Sequence, residues 1–109
     1  MSMSAQTEDV SVPLNTVLAN TGGELERLAA VAANIDDHIG DMLVHPELAA
    51  KLSKELMQDV DRLRQAVDCV HRLILNIADS GCADATVSVR NASEGVYLES
   101  VRNACLRVG

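Results

Sequence analysis

Two long stretches of this sequence repeat apolar residues at alternating steps of four and three, and this repeat constrains the fold more than any other feature. In the first stretch the repeat consists of Leu14, Leu18, Thr21, Leu25, Leu28, Ala32, Ile35, Ile39 and Met42. In the second it consists of Ala49, Leu52, Leu56, Val60, Leu63, Val67, Val70, Ile74 and Ile77. Such spacing places one apolar stripe along a helix and is typical of helices that pack along their length. Each stretch is therefore predicted to form one long amphipathic helix.

Proline and glycine indicate where these helices begin and end. Pro13 suits the first turn of the first helix, and His45-Pro46 predicts a turn before the second. Ser80-Gly81 predicts the end of the second helix. Gly22-Gly23 interrupts the first repeat, so a break there and a continuous helix both remain open. Two helices of matched length joined by a short turn predict an antiparallel hairpin over residues 13–81.

The segments outside the hairpin have different patterns. Residues 1–12 are predicted to be disordered because residues 1–11 are mostly polar. Residues 82–109 are predicted to form a linker and a short amphipathic helix, with Asn91-x-x-Glu94 in capping-box form. Alternation at 85, 87 and 89 would allow a short strand there. We do not predict that strand, because no second strand is available to pair with it.

The apolar surface exceeds what a two-helix hairpin can cover. The 109-residue chain has no Phe or Trp, so aliphatic side chains must form the core. Near the end of the second helix, apolar residues occupy more than half of its circumference: Leu73, Ile74, Leu75 and Ile77. An apolar surface wider than the contact between two helices must be covered by another layer of structure. We therefore predict an all-α fold in which two hairpins form a four-helix bundle as a homodimer, with a three-helix monomer as the alternative.

Charge and composition exclude several classes of partner. The net charge of −7 disfavours binding to phosphate backbones and anionic lipids, and a single aromatic residue, Tyr97, leaves almost no surface for base stacking. Binding to nucleic acid is therefore not expected. Membrane insertion is not expected either, since no apolar run approaches the ~20 residues of a membrane span. Three cysteines without metal-type spacing, and an N-terminus without signal-peptide features, predict a cytoplasmic protein.

The sharpest functional motif is Asp61-x-x-x-Gln65, midway along the second predicted helix. The two residues lie one turn apart, on the side opposite the apolar stripe. A rigid helix would hold their carboxylate and amide at a fixed separation, which suits docking into a site on another protein. The alternative interpretation is a solvated helix face, because an Asp–Gln pair at this spacing stabilises a helix without any partner.

A long helical hairpin with an exposed Asp-x-x-x-Gln at 61–65, followed by a linker and a short amphipathic helix, resembles the CheZ class of chemotaxis phosphatases. In size the chain is more similar to the short CheT-type chemotaxis proteins. The resemblance implies binding to a phosphorylated CheY-type receiver of a response regulator and faster hydrolysis of its aspartyl phosphate. Gln65 would orient the attacking water and Asp61 would pair with a receiver lysine. The receiver would supply Mg²⁺, so no cofactor of the chain's own is expected.

Partner contacts are expected around this motif and on the last helix. The residues assigned to partner binding are Gln58, Arg62, Arg64, Asp68, Tyr97 and Val101. A second hypothesis comes from a different functional class. The same surface, or the segment 91–108, would bind signalling proteins as a non-catalytic helical adaptor.

His38, Asp41 and His45 share one helical face and could offer two imidazoles and a carboxylate to a metal ion. Clusters of this kind on an acidic helix are more often a polar surface, and no second-shell partner can be named for them. We predict no metal site.

Overall fold

Both apolar repeats form long helices in the computed structural model, which describes residues 10–107. Helix α1 spans Leu14–Val44 and helix α2 spans Ala49–Ser80, and the two pack against each other as an antiparallel hairpin. The molecule measures 63 × 28 × 24 Å. Among the described residues, no helix combines the length and the apolar character needed to cross a membrane. The predicted all-α fold with a long hairpin is confirmed.

The ends of the helices lie close to the predicted positions. Pro46–Leu48 forms a single 3-10 turn, so α2 begins three residues after the proline. At the other end Gly81 adopts a positive φ of 74°, and its N–H donates to Ile77 O at 3.1 Å. This conformation favours glycine and ends the helix as predicted. Gly22 and Gly23 lie inside α1, which continues through them without a break.

A two-stranded antiparallel sheet joins the segments that flank the hairpin. Strand β1 spans Ser11–Pro13 and strand β2 spans Thr86–Ser88, with Val12 opposite Val87 and both side chains buried. The prediction that no partner strand exists is therefore wrong. The antiparallel hairpin brings its two open ends together, so the residues before α1 meet those after α2. The predicted disorder is wrong for Ser11 and Val12, and for residues 1–9 it lies outside the described residues.

The C-terminal segment folds back along the hairpin as two short helices, α3 at Val89–Ala92 and α4 at Glu99–Leu106. Helix α3 is capped by Ser88, whose side chain accepts a hydrogen bond from Asn91 N at 3.2 Å. The predicted capping box beginning at Asn91 is wrong, because that residue already lies within the first turn of α3. The predicted amphipathic helix exists, but it begins later, at Glu99.

Two asparagines attach this segment to the long helices. Asn76 in α2 donates through Nδ2 to Ala92 O at 2.9 Å and to Glu94 O at 2.7 Å. Asn20 in α1 donates through Nδ2 to Arg107 O at 3.1 Å and to Cys105 O at 3.4 Å. The C-terminal segment is therefore held to the hairpin at the end of α3 and at the end of α4.

The core lies at the open end of the hairpin, where every element meets. Its buried apolar residues come from β1, α1, α2, β2 and the C-terminal segment: Val12, Val17, Leu28, Ala66, Cys69, Val70, Leu73, Val87, Ala92, Val96, Val101, Cys105 and Leu106. Within the described residues, the buried positions of α1 end at Leu28 and those of α2 begin at Ala66. The half of the hairpin near the turn is held only by partly buried side chains.

The stripe that α1 buries is rotated from the predicted one. Its buried residues are Val17, Thr21, Glu24 and Leu28. Of the predicted stripe, Leu18 and Leu25 are exposed, so the prediction that they pack in the hairpin is wrong. A helix in a two-helix contact buries one narrow stripe. The alternative 4-3 series that begins at Val17 fills it.

One member of that stripe is a carboxylate. Glu24 is buried, and Arg27 donates to it twice, from Nε to Oε1 at 3.0 Å and from Nη2 to Oε2 at 2.8 Å. The two-pronged bond raises the pKa of Arg27 and supplies Glu24 with the partners that a buried charge requires. Apolar periodicity could not identify this residue as part of the interface.

Candidate functional site

Asp61 and Gln65 project from the outer surface of α2, which is uninterrupted on both sides of them. The residues that pack inward around the motif are Leu63, Ala66 and Val70. Asp61 is exposed and Gln65 is partly exposed. The two groups therefore lie side by side on a continuous helix, away from the hairpin interface.

Both oxygens of the Asp61 carboxylate accept hydrogen bonds from neighbours on the helix. Gln65 Nε2 donates to Oδ2 at 2.7 Å, and Arg64 Nη2 donates to Oδ1 at 3.1 Å. Arg64 and Asp61 are both well exposed, so solvent screens this ion pair and it stabilises the helix little. The bonds orient the side chains while leaving them easy to displace.

The bond to Asp61 fixes which end of the Gln65 amide faces outward. An ionised carboxylate only accepts hydrogen bonds, so Gln65 must turn its NH₂ group toward Asp61. The Oε1 atom of Gln65 then points away from Asp61 as a hydrogen-bond acceptor. An acceptor at this position can bind and orient a water molecule.

Other polar residues extend the motif along α2 into a surface that we call the motif ridge. It consists of Gln58, Asp61, Gln65 and Asp68, which follow each other at steps of three and four. Gln58 and Asp68 are exposed, as predicted for contact residues, and Arg62 is exposed on the flank. The ridge presents two carboxylates and two amides, a combination suited to basic and hydroxyl groups on a partner.

Tyr97 from the C-terminal segment lies beside the motif ridge. Loss of solvation raises the pKa of its hydroxyl, Cys69 and Asp68 raise it further, and Arg64 lowers it. These influences indicate that the hydroxyl lies close to Cys69 and Asp68, about one turn beyond Gln65 on α2. The residue remains 55% exposed, so much of it is available to a partner. Sequence spacing could not show this proximity, because the two residues come from different elements.

The turn before Tyr97 explains how the chain reaches α2 at this point. Gly95 has a positive φ of 77°, and a Cβ at this residue would lie 3.5 Å from the Arg72 side chain. The positive φ favours glycine at this turn, which runs beside Arg72. The adjacent Val96 is buried in the core and anchors the segment. Arg72 lies beside Gly95 and Val96 anchors the residue before Tyr97, and neither was identified as part of the site from the sequence.

Val101 does not belong to the site. Its side chain is fully buried in the core, on the face of α4 that packs against the hairpin. The prediction that Val101 contacts a partner is wrong, because the apolar side of this helix covers the protein's own core. Of the two residues predicted on the last helix, only Tyr97 lies at the surface, and it precedes α4.

The three residues weighed as metal ligands do not converge. His38 Nδ1 lies 4.0 Å from Asp59 Oδ2 in α2, whereas His45 Nδ1 lies 3.4 Å from Glu47 Oε2 in the turn. Across residues 10–107, no group of three or more His, Cys, Asp or Glu side chains could hold a metal ion.

A family model described as "Domain of unknown function (DUF8776)" matches residues 10–107. The chain belongs to this family. The match extends from β1 to the end of α4, so the strand pair and the C-terminal segment are parts of the family's domain. No curated protein and no solved structure matches the chain. The family description carries no activity, so any function must be argued from the residues themselves.

Proposed function

We propose that this protein docks its motif ridge onto a phosphorylated response-regulator receiver and accelerates hydrolysis of the aspartyl phosphate. The observation that supports this most is the orientation of Gln65, which Asp61 holds by a 2.7 Å bond on the outer face of an unbroken helix. A preoriented amide loses little conformational entropy when it enters another molecule's site. The proposal extends the resemblance to CheZ-like phosphatases, and the exposed geometry is what such docking requires.

Hydrolysis of the receiver's aspartyl phosphate requires few chemical groups from this protein. In the proposed step a water oxygen attacks the phosphorus, the bond from phosphorus to the receiver's aspartate oxygen breaks, and inorganic phosphate leaves. The receiver would hold Mg²⁺, which would supply stabilisation of the charge on the phosphoryl oxygens and the leaving carboxylate. Gln65 Oε1 accepts a hydrogen bond from the water and aligns it opposite the leaving group. Positioning of this kind is a substantial part of the catalysis available for phosphoryl transfer.

Asp61 has a second role in this scheme. Its Oδ1 is paired with the exposed Arg64, and this bond exchanges readily with solvent or another cation. A lysine of the receiver would replace Arg64 at Oδ1, while Oδ2 continues to hold Gln65. Docking would therefore keep the amide in place and add one intermolecular ion pair.

The test is release of inorganic phosphate from a receiver phosphorylated by acetyl phosphate, with and without this protein. We expect Gln65→Ala to reduce the acceleration by roughly 100-fold, because the attacking water is no longer aligned. Asn34→Ala is the matched control, since it removes a side-chain amide from an exposed position in α1, outside the motif ridge. We expect Asn34→Ala to retain the full acceleration. Equal rates with wild type and Gln65→Ala would refute the catalytic role.

The exposure of Tyr97 favours a second candidate function, a non-catalytic adaptor. An exposed tyrosine beside Arg64 and Asp68 has the character of a binding hot spot. The adaptor hypothesis predicts that Tyr97→Ala weakens receiver binding at least tenfold, while neither wild type nor Gln65→Ala changes phosphate release. Substitution is the appropriate test here. Truncation of the segment would remove Val96 and other residues of the core.

A further inference from the structure

Six exposed aliphatic side chains form a second stripe along the hairpin, which we call the apolar ribbon. They are spaced by multiples of seven on each helix and lie between 43% and 59% exposed: Leu18, Leu25, Ile39, Val60, Val67 and Ile74. These residues belong to the apolar repeats found in the sequence, but the contact between α1 and α2 leaves them outside. The repeats therefore describe two adjacent stripes, of which the hairpin buries one.

The ribbon residues of the two helices share one face of the molecule. Leu18 and Leu25 of α1 line a shallow groove together with Ile74 of α2, and the groove surface is almost entirely apolar. Gly22 lies between the two leucines and widens the groove, since its surroundings are open. The seven-residue spacing carries the other ribbon residues along the same face toward the turn.

The C-terminal segment packs on a different side of the hairpin and leaves the ribbon uncovered. Asn20 and Asn76 hold that segment. Asn20 follows the ribbon residue Leu18 by two positions, and Asn76 follows Ile74 by two. Each asparagine therefore lies more than a quarter turn around its helix from the ribbon. The groove between α1 and α4 is lined by Asn20, Arg27 and Arg107, among other residues that are not in the ribbon. The C-terminal helices of the same chain therefore do not cover the apolar ribbon.

We infer that the apolar ribbon binds a second copy of this chain, and that the two hairpins form a four-helix bundle. Charge does not oppose self-association at this face. The chain carries a net charge of −7, yet none of the six ribbon residues is charged, so two copies can meet there without direct like-charge contact. The distal half of the hairpin, which lacks fully buried residues between Leu28 and Ala66, would gain its core from the partner.

The face that carries the ribbon has the area of a small but specific dimer interface. From Leu18 to Ile39 it runs ~32 Å along α1, and two helices side by side are ~20 Å wide, which gives roughly 600 Å² for each chain. Specific interfaces bury about 600–1,000 Å² per partner, so this face lies at the lower end of that range. The motif ridge lies on another face of α2, so each copy keeps its Asp61 and Gln65 accessible.

A neighbouring pair of substitutions tests the inference. Ile74→Glu places a carboxylate in the ribbon, whereas Leu75→Glu makes a similar change one residue later, at an exposed position about 100° around the helix. Sedimentation equilibrium should give wild type and Leu75→Glu a mass of twice 11.6 kDa. Ile74→Glu should weaken dimerisation at least 100-fold, with unchanged helix content by circular dichroism. A monomeric wild type at 100 µM, or equal effects of both substitutions, would overturn the inference.

Mixing two variants of opposite charge shows whether the loss of dimerisation is caused by misfolding, because misfolded chains would not form a dimer when mixed. Val67 lies between Val60 and Ile74 in the α2 part of the ribbon, and a twofold interface brings this same patch of the two copies together. Val67→Glu and Val67→Lys should each be monomeric alone and should form a 1:1 heterodimer when mixed. Two variants that fold but stay monomeric on mixing would contradict pairing through this face. If the ribbon bound only a different protein and not a second copy of this chain, that result would also contradict the inference. Because this test concerns mass alone, its outcome is independent of the phosphatase assay.

Discussion

Asn76→Ala measures how strongly the C-terminal segment is fastened to the hairpin. The side chain of Asn76 donates to Ala92 O at 2.9 Å and to Glu94 O at 2.7 Å, in a partly buried setting. Each hydrogen bond contributes about 0.5–1.5 kcal/mol, so losing both should cost roughly 1–3 kcal/mol. Alanine favours the helix over asparagine by about 0.5 kcal/mol, which offsets part of this loss. The net expectation is a free energy of unfolding lowered by roughly 0.5–2.5 kcal/mol.

Asn34→Ala provides the control for helix propensity. Asn34 is an exposed residue inside α1, so the same substitution there changes propensity alone and should stabilise the protein by about 0.5 kcal/mol. Urea unfolding followed by circular dichroism, at one fixed protein concentration, gives both free energies. Amide hydrogen exchange of residues 92–106 should accelerate only in Asn76→Ala. If the two variants show equal changes, the bonds of Asn76 do not hold the segment and the reasoning is refuted.

Three further outcomes follow from the structure. With a thiol reagent at pH 8, partly exposed Cys82 should react at once, whereas buried Cys69 and Cys105 should react only as the protein unfolds; three equally fast thiols would contradict the described core. Burial raises the pKa of Cys105, so above pH ~8.5 the unfolded state releases this proton first and stability should fall as pH rises; Cys105→Ala should flatten that decline in urea unfolding. Val12→Ala and Val87→Ala should each cost about 1–3 kcal/mol, and a double-mutant cycle should show coupling because the two residues face each other across the strands.

Local signals were sufficient for the long helices. The 4-3 spacing of apolar residues, the Pro46 turn and the Gly81 stop predicted α1 and α2 to within a few residues, since helix periodicity and helix ends depend on neighbours in sequence. The strand at Thr86–Ser88 was missed for the opposite reason. Its partner lies more than 70 residues earlier in the chain, and only the closed hairpin brings the two together.

The candidate site divides in the same way. The outward direction of Asp61 and Gln65 was predictable, because both residues and the apolar stripe that orients the helix lie within one element. The approach of Tyr97 to the motif and the burial of Val101 were not predictable from spacing. An amphipathic helix has the same pattern whether its apolar face meets the protein's own core or another molecule.

By itself the sequence determined the two long helices, the turn between them and which polar groups share a ridge, because these depend on interactions within a few residues. The tertiary structure decided which of two adjacent apolar stripes becomes the interface between α1 and α2. Both stripes have helical periodicity, but a pair of helices has room to bury only one of them. The C-terminal segment then covers one side of the hairpin and leaves the apolar ribbon on another.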